Sequence, residues 1–206
     1  MIETPTRPVA QARYFDTTFG CDAVKVLPGE YFYTKQNLMI TTVLGSCVAA
    51  CIRDTVSGIG GMNHFLLPDT ISDADSPVSE SMRYGAYAME VLINDLLKAG
   101  ARRQNLEAKV FGGGNVLPGM TSINVGARNA KFVLSYLQTD NIPVRVQDLL
   151  DIYPRRVCFF PHNGKVMVRK LKQNIDSGIV TRERDYQSRL KTKAQKAPAS
   201  GDIDLF

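Results

Sequence analysis

Residues 38–52 read LMITTVLGSCVAACI, and this stretch decides the predicted fold. Residues 38–42 are apolar and β-branched, which is typical of a strand. A Gly-Ser pair at 45–46 interrupts the run, and the apolar residues resume at 47–52, a length too short for an independent helix. We therefore expect a strand, a sharp bend and a second apolar segment, with a cysteine presented at the bend.

The rest of the chain contains more strand patterns than helix patterns. Short strands are predicted around 24–26, 109–111 and 142–146, helices from Ser76-Pro77 to Gly100 and over 125–140, and a hairpin joining 156–160 to 165–170 through its Asn-Gly pair. The helices do not alternate with the strands as βαβ units. This order favours an α+β fold with a mixed β-sheet and helices covering one face.

Composition and charge divide the chain into three parts. Its 206 residues are 44% hydrophobic, enough for one domain with a real core. The net charge is +5, and residues 169–196 hold nine Lys or Arg against three acidic residues, so the remainder sums to −1. We predict a flexible N-terminal arm at 1–20, a domain at 21–172 and a basic, flexible C-terminal tail at 173–206. This location of the charge argues against a nucleic-acid partner, and a solvated tail is the expected alternative.

The sequence carries no predicted export or membrane signal. Residues 1–15 contain prolines and no apolar core, unlike a signal peptide. The longest weakly polar run, 38–52, is shorter than the roughly 18–20 residues that a membrane helix needs. We expect a cytoplasmic protein with no membrane span, in which Cys21, Cys47, Cys51 and Cys158 stay reduced.

Two ligand-binding interpretations are weak. The glycine clusters at 58–61 and 112–114 complete neither a dinucleotide fingerprint nor a P-loop, so tight turns or close packing are favoured. The Cys47–Cys51 spacing with His64 and His162 could form a zinc site, but His162 falls on a predicted hairpin tip whereas the cysteine pair lies in an apolar run. We predict no metal and no organic cofactor.

A cysteine nucleophile is the stronger interpretation. Cys47 follows the Gly-Ser bend, where backbone N–H groups could hold an oxyanion, and His64 lies 17 residues later. A cysteine hydrolase needs a histidine to move the thiol proton and a third group to orient the imidazole. Thr41 or Thr42 could be that third group. Cys51 is better explained as a small core residue.

At these residues the sequence resembles the CheD family of chemoreceptor glutamine deamidases. The segments that carry the resemblance occur in order across about 22–172, and they are 27–30 (LPGE), 41–48 (TTVLGSCV), 60–68 (GGMNHFLLP), 83–85 (RYG), 109–113 (KVFGG), 124–129 (NVGARN), 159–161 (FFP) and 164–166 (GKV).

The resemblance implies a hydrolase that converts particular glutamines on chemotaxis receptors to glutamate, releasing ammonia through a cysteine thioester. It assigns the catalytic roles to Cys47, His64 and Thr41, and it favours Thr41 over Thr42 as the third residue. It further implies a mixed β-sheet sandwich with two main helices, similar to the catalytic domain of cytotoxic necrotizing factor toxins. Methyl-accepting chemotaxis receptors are the expected substrates, and a CheC-type phosphatase is a candidate partner. The rival hypothesis is a non-catalytic module that docks these partners.

Overall fold

The computed structural model describes residues 9–67, 80–116 and 125–171, together with 181, 185, 186, 188 and 189. Within these residues the strands are β1 (Ala12–Asp16), β2 (Cys21–Lys25), β3 (Tyr31–Thr34), β4 (Met39–Leu44), β5 (Val48–Asp54), β6 (Gly60–Asn63), β7 (Leu106–Gly112), β8 (Val144–Leu149), β9 (Arg155–Phe160) and β10 (Lys165–Lys170). The helices are α1 (Glu80–Lys98) and α2 (Val125–Thr139), with a 3-10 turn at Arg103–Asn105.

Two five-stranded sheets form a sandwich. Their strand orders are β1-β2-β4-β9-β10 and β3-β6-β5-β7-β8. The pairs β2–β4 and β7–β8 are parallel and the other neighbours are antiparallel, so both sheets are mixed. Helices α1 and α2 both pack on the second sheet. The predicted α+β class, a mixed β-sheet sandwich covered by two main helices, is confirmed.

Strand β5 is central because it is buried on both faces. Val48, Ala50 and Ile52 face the helices, whereas Ala49 and Cys51 face the other sheet. A strand between two apolar layers has no polar face, which explains its near-continuous apolar sequence. The bend that precedes β5 therefore lies in the interior of the sandwich.

The predicted hairpin and the end of the first helix are confirmed. Strands β9 and β10 pair antiparallel with Lys165 opposite Phe160. Helix α1 ends at Lys98 and is terminated by Gly100, which has a φ of 105°. The next residue, Ala101, donates to the carbonyl of Leu96 at 3.0 Å. This bond and the positive φ form a Schellman cap, the usual glycine terminator. The predicted start of that helix, Ser76-Pro77, lies outside the described residues.

The first sheet begins within the stretch predicted as an arm. Residues 12–16 form β1, whose register places Ala12 opposite Lys25. Four of the five β1 residues are exposed, so this edge strand lacks the apolar alternation that would have indicated it. In the predicted tail, the five described positions are helical and Tyr186 is half-buried against the domain, so the tail is not wholly separate from it.

Neither helix in the described part of the chain combines the length and the apolar character needed to cross a membrane.

Candidate active site

The bend that carries Cys47 is held through its carbonyl groups. The backbone N–H groups of Gly114 and Gly113 donate to the carbonyls of residues 45 and 47 at 2.8 and 2.7 Å. The side-chain amide of Asn129, in α2, donates to the carbonyl between them, that of Ser46, at 2.9 Å. Because the N–H and C=O of a planar trans peptide point in opposite directions, the amide N–H groups of the bend are directed away from these donors. That orientation suits backbone groups that stabilise an oxyanion.

Glycine is required where residues 112–114 approach the bend. Gly112 has a φ of 108°, and a Cβ placed on it would lie 2.2 Å from the carbonyl oxygen of Cys47. A Cβ on Gly126, at the start of α2, would lie 2.2 Å from the carbonyl oxygen of Gly113. Close backbone packing therefore accounts for this glycine cluster, as predicted.

His64 is fixed by backbone contacts on both sides. Its N–H donates to the Glu30 carbonyl at 3.0 Å, and its carbonyl accepts from the Gly29 N–H at 2.7 Å. The Glu30 carboxylate in turn accepts from the N–H of Leu27 at 2.9 Å, which closes the turn. Residues 27–30 thus act as a backbone clamp on His64.

Thr42 contacts the imidazole of His64. Its hydroxyl lies 2.8 Å from the Nδ1 atom and donates to the carbonyl of Val26 at 2.7 Å. A hydroxyl has one proton, and the carbonyl can only accept it, so the hydroxyl accepts from Nδ1–H. This network assigns the neutral imidazole as the Nδ1–H tautomer, which leaves the Nε2 lone pair as the basic site.

The structure does not place Thr41 beside His64, which corrects the choice between the two threonines. The Thr41 hydroxyl donates to the Val157 carbonyl at 2.9 Å and lies 3.5 Å from the Cys158 sulfur. Successive side chains of a strand point to opposite faces, so Thr41 faces the outside of the first sheet and Thr42 faces the second sheet. Only Thr42 can reach the imidazole from β4.

Cys47 and His64 project from the same face of the second sheet. Val48 pairs with Phe65 through two hydrogen bonds of 3.0 Å, which continue the β5–β6 register and make Cys47 and His64 diagonal neighbours. Diagonal Cβ atoms in antiparallel pairs are separated by about 7–8 Å or somewhat less, within reach of long and aromatic side chains. Both are buried, with exposures of 0% for Cys47 and 2% for His64.

Asn129 connects the two segments that carry these side chains. Besides holding Ser46, its side-chain oxygen accepts from the N–H of Leu67 at 3.0 Å. Arg128 donates to the carbonyl of the same leucine at 3.1 Å. The exposure of Asn129 is 0%, so loss of either bond would leave a buried polar group unsatisfied. One side chain of α2 therefore fixes the bend relative to the segment that follows β6 and carries His64.

The other cysteines lie elsewhere in the fold. Burial raises the pKa of the Cys51 thiol, which packs between the sheets as a core residue. Cys158 is buried on the outer side of the first sheet, with Cys21 packed against it. Burial also raises the pKa of Cys21. Among the described residues, no group of three or more His, Cys, Asp or Glu side chains is arranged to hold a metal ion.

Two tyrosines lie near Cys47. The hydroxyls of Tyr84, in α1, and Tyr186 are hydrogen-bonded to each other. Tyr186 also packs on Gly29, where an added Cβ would lie 2.5 Å from the tyrosine oxygen. Burial raises the pKa of both phenols, and negative charge on the neighbouring Cys47 would act in the same direction. These contacts place Tyr186 at the site that Cys47 and His64 form.

Comparison with known proteins identifies the family. The profile described as "CheD chemotactic sensory transduction" matches residues 66–170. A relative from Janthinobacterium sp. (strain Marseille), named "Probable chemoreceptor glutamine deamidase CheD", is 62% identical over 206 residues, which is 100% of both chains. The chain belongs to the CheD family. CheD relatives with corresponding names include one from Thiobacillus denitrificans, 62% identical over 94% of both chains, and one from Shewanella oneidensis, 59% identical over 94% of this chain and 92% of that one.

A solved protein of Bacillus licheniformis, described as hypothetical protein YfiH, superposes with a TM-score of 0.37 at 11% identity, covering 59% of this chain and 49% of that one. This likeness is too distant to bear on the site of a CheD protein. The predicted similarity to cytotoxic necrotizing factor domains stays a prediction.

The positioning groups of this CheD site were not predicted from the sequence. Asn129 and the segments 27–30 and 112–114 contribute mainly backbone contacts or a neutral amide, which carry no signature of catalytic chemistry. They do occur in the motifs through which the chain resembles the family. Those motifs were the available signal, and the structure gives them a physical role.

Proposed function

We propose that this chain hydrolyses the side-chain amide of glutamines on methyl-accepting chemotaxis receptors, giving glutamate and ammonia. The names of its CheD relatives supply the substrate class. The observation that carries the chemistry is the hydrogen bond between Thr42 and His64 Nδ1, because it leaves Nε2 as a base on the face from which Cys47 projects.

The reaction begins with proton transfer from the Cys47 thiol to Nε2 of His64. The thiolate attacks the amide carbon, and the backbone N–H groups of Ser46 and Cys47 stabilise the resulting oxyanion. As the intermediate collapses, the imidazolium of His64 gives its proton to the leaving nitrogen, which departs as ammonia. A thioester on Cys47 remains.

Water completes the cycle. His64 Nε2 accepts a proton from the water as its oxygen attacks the thioester carbon. The second intermediate collapses, the carbon–sulfur bond breaks, and the cysteine sulfur recovers the proton from the imidazolium. The net reaction adds one water to the amide and releases glutamate and ammonia. Thr42 orients the imidazole throughout as a positioning residue, and this route uses no metal or organic cofactor.

The test is deamidation of receptor peptides, followed by mass spectrometry with peptide mapping. Cys47→Ala should abolish the mass shift, whereas Cys51→Ala, on the same strand face, should retain it. Trapping of the thioester with hydroxylamine should give a hydroxamate with the wild type only. Full deamidation by Cys47→Ala would refute the enzyme proposal and favour the rival non-catalytic module that docks receptors or a CheC-type phosphatase.

The partners and location belong to the same proposal. If the receptor glutamines are exposed to the cytoplasm, the chain acts in the cytoplasm. This location agrees with a mechanism that needs a reduced cysteine thiol. The CheC-type phosphatase is a proposed binding partner, and pull-down with the purified phosphatase tests it. The basic residues at 169–196 have no assigned nucleic-acid role in this proposal.

A further inference from the structure

The contact between Tyr186 and the catalytic domain is not used by the proposed mechanism. The described positions 181, 185, 186, 188 and 189 are all helical, and they lie in the segment predicted from sequence to be a flexible tail. Of these five residues, only Tyr186 is partly buried, and the other four are exposed. Tyr186 is thus the one described residue of this stretch that packs into the domain, and this contact requires an explanation.

The residues that hold Tyr186 are Gly29 and Tyr84, which together form its seat, and this seat adjoins the candidate site. Gly29 belongs to the clamp on His64, and an added Cβ there would lie within 2.9 Å of three Tyr186 atoms. Tyr84 supplies a hydrogen bond to the Tyr186 hydroxyl. The ring packs against the apolar cluster between the sheets that also contains Cys47. Tyr186 therefore lies beside the groups that a glutamine side chain must reach.

The burial of the reactive groups agrees with a covered site. With Tyr186 seated, the exposures of Cys47 and His64 are 0% and 2%. A protein substrate cannot bring an amide carbon to a sulfur atom in this arrangement without displacing something. Because Tyr186 is only half-buried and the described residues 181, 185, 188 and 189 are exposed, its displacement breaks fewer contacts than movement of a strand or helix of the sandwich would.

We propose that Tyr186 occupies part of the receptor-docking surface of its own domain, so that substrate binds only when Tyr186 leaves the seat formed by Gly29 and Tyr84. This inference rests on the proposed function for the identity of the substrate, but not for the occlusion of Cys47. A tethered segment competes at an effective concentration on the order of millimolar, so it lowers the apparent affinity of every substrate that uses the surface.

The first test measures access to Cys47 without any receptor. Full-length wild type, Tyr186→Ala, Tyr186→Phe and the matched control Arg189→Ala are treated with iodoacetamide, and each cysteine is quantified by peptide mapping. We expect Tyr186→Ala to speed alkylation of Cys47 by about tenfold, since the occluded state then loses the contacts of the ring with Gly29 and Tyr84. Tyr186→Phe keeps the ring and should give a smaller increase. Arg189→Ala removes an exposed side chain of the same segment and should match the wild type.

The second test measures receptor-peptide deamidation by the same proteins. Removal of a competing occupant lowers KM and leaves kcat unchanged, so Tyr186→Ala should show that pattern. Unchanged alkylation of Cys47 in Tyr186→Ala would overturn the proposal. A higher KM in that variant would also overturn it, because Tyr186 would then contribute to binding the substrate. Faster alkylation together with no deamidation by any of the proteins would refute the proposed function and leave the occlusion standing.

Discussion

Replacement of Thr42 by valine tests the hydrogen bond on which the proposed chemistry depends. Valine preserves the shape and β-branching of threonine but cannot accept the Nδ1–H of His64 or donate to the Val26 carbonyl. The exposures of Thr42 and His64 are 1% and 2%, so water does not readily replace the lost partner. The imidazole would then be free to adopt the other tautomer or rotate.

The expected magnitude follows from these contacts. A buried polar group left without its partner costs about 1–3 kcal/mol. If that cost falls on the orientation of His64 in the transition state, kcat/KM for receptor peptides falls by about 5- to 150-fold. Thr42→Ser restores a hydroxyl at the same position and should recover most of the activity.

Thr41→Val is the matched control on the neighbouring residue. It also removes one buried hydroxyl bond, here to the Val157 carbonyl at 2.9 Å, but on the opposite face of β4. Its free energy of unfolding in urea should fall by an amount comparable to that of Thr42→Val, while kcat/KM stays within about twofold of the wild type. Activity lost in Thr41→Val and kept in Thr42→Val would refute the assignment of Thr42.

Three further predictions concern the surroundings of the site. Asn129→Asp replaces the amide donor with an acceptor, so we expect the free energy of unfolding to fall by about 1–3 kcal/mol and the kcat of the fully folded variant to drop. Urea titration and the peptide assay measure the two effects, and an unchanged kcat would contradict the proposed support of the bend. Gly112→Ala should lose more stability than Gly20→Ala, because both glycines have positive φ but only the former would clash, at 2.2 Å from a carbonyl oxygen. Equal midpoint temperatures for the two variants in thermal melts would show that the clash does not lower stability. Burial opposes ionisation of Asp54, but its backbone hydrogen bonds outweigh this effect and hold the pKa of the carboxyl below its usual range. Its contribution to stability is therefore present above the unfolded pKa of about 4 and is lost as pH falls through the folded pKa, so the stability difference between wild type and Asp54→Asn should shrink on acidification. A difference that stays constant from neutral pH to pH values well below the unfolded pKa would contradict this linkage.

The choice between Thr41 and Thr42 shows where sequence reasoning stopped. Strand β4 is buried on both faces, since Met39 packs on the outer side and Ile40 between the sheets. A strand of this kind has no polar–apolar alternation, so its sequence does not indicate which face meets the second sheet. The bend before Cys47 and the class of the fold could be predicted because glycine placement and element order are local signals. Which of the two threonine side chains faces the second sheet depends on how the two sheets stack, and this is not a local signal.

The tail illustrates a different limit. Tyr186 is a single aromatic residue in a polar, basic stretch, and periodicity assigns no partner to a lone side chain. Its seat depends on Gly29 and Tyr84, which are distant in sequence and belong to different elements. The charge of the segment distinguishes it from the rest of the sequence. It could not indicate that one residue returns to the candidate active site.

The construction of the site explains why so many motifs without reactive side chains accompany Cys47 and His64. A nucleophile at a bend is useful only if the peptide planes around it are fixed, and here residues 113, 114 and 129 fix three successive carbonyls. His64, the proposed base, is likewise held through its own backbone by the turn at 27–30. Each of these supports needs a main-chain conformation or a neutral amide rather than a charge. Substitutions in these segments should therefore change the turnover rate through geometry, even where no exchanged atom touches the substrate.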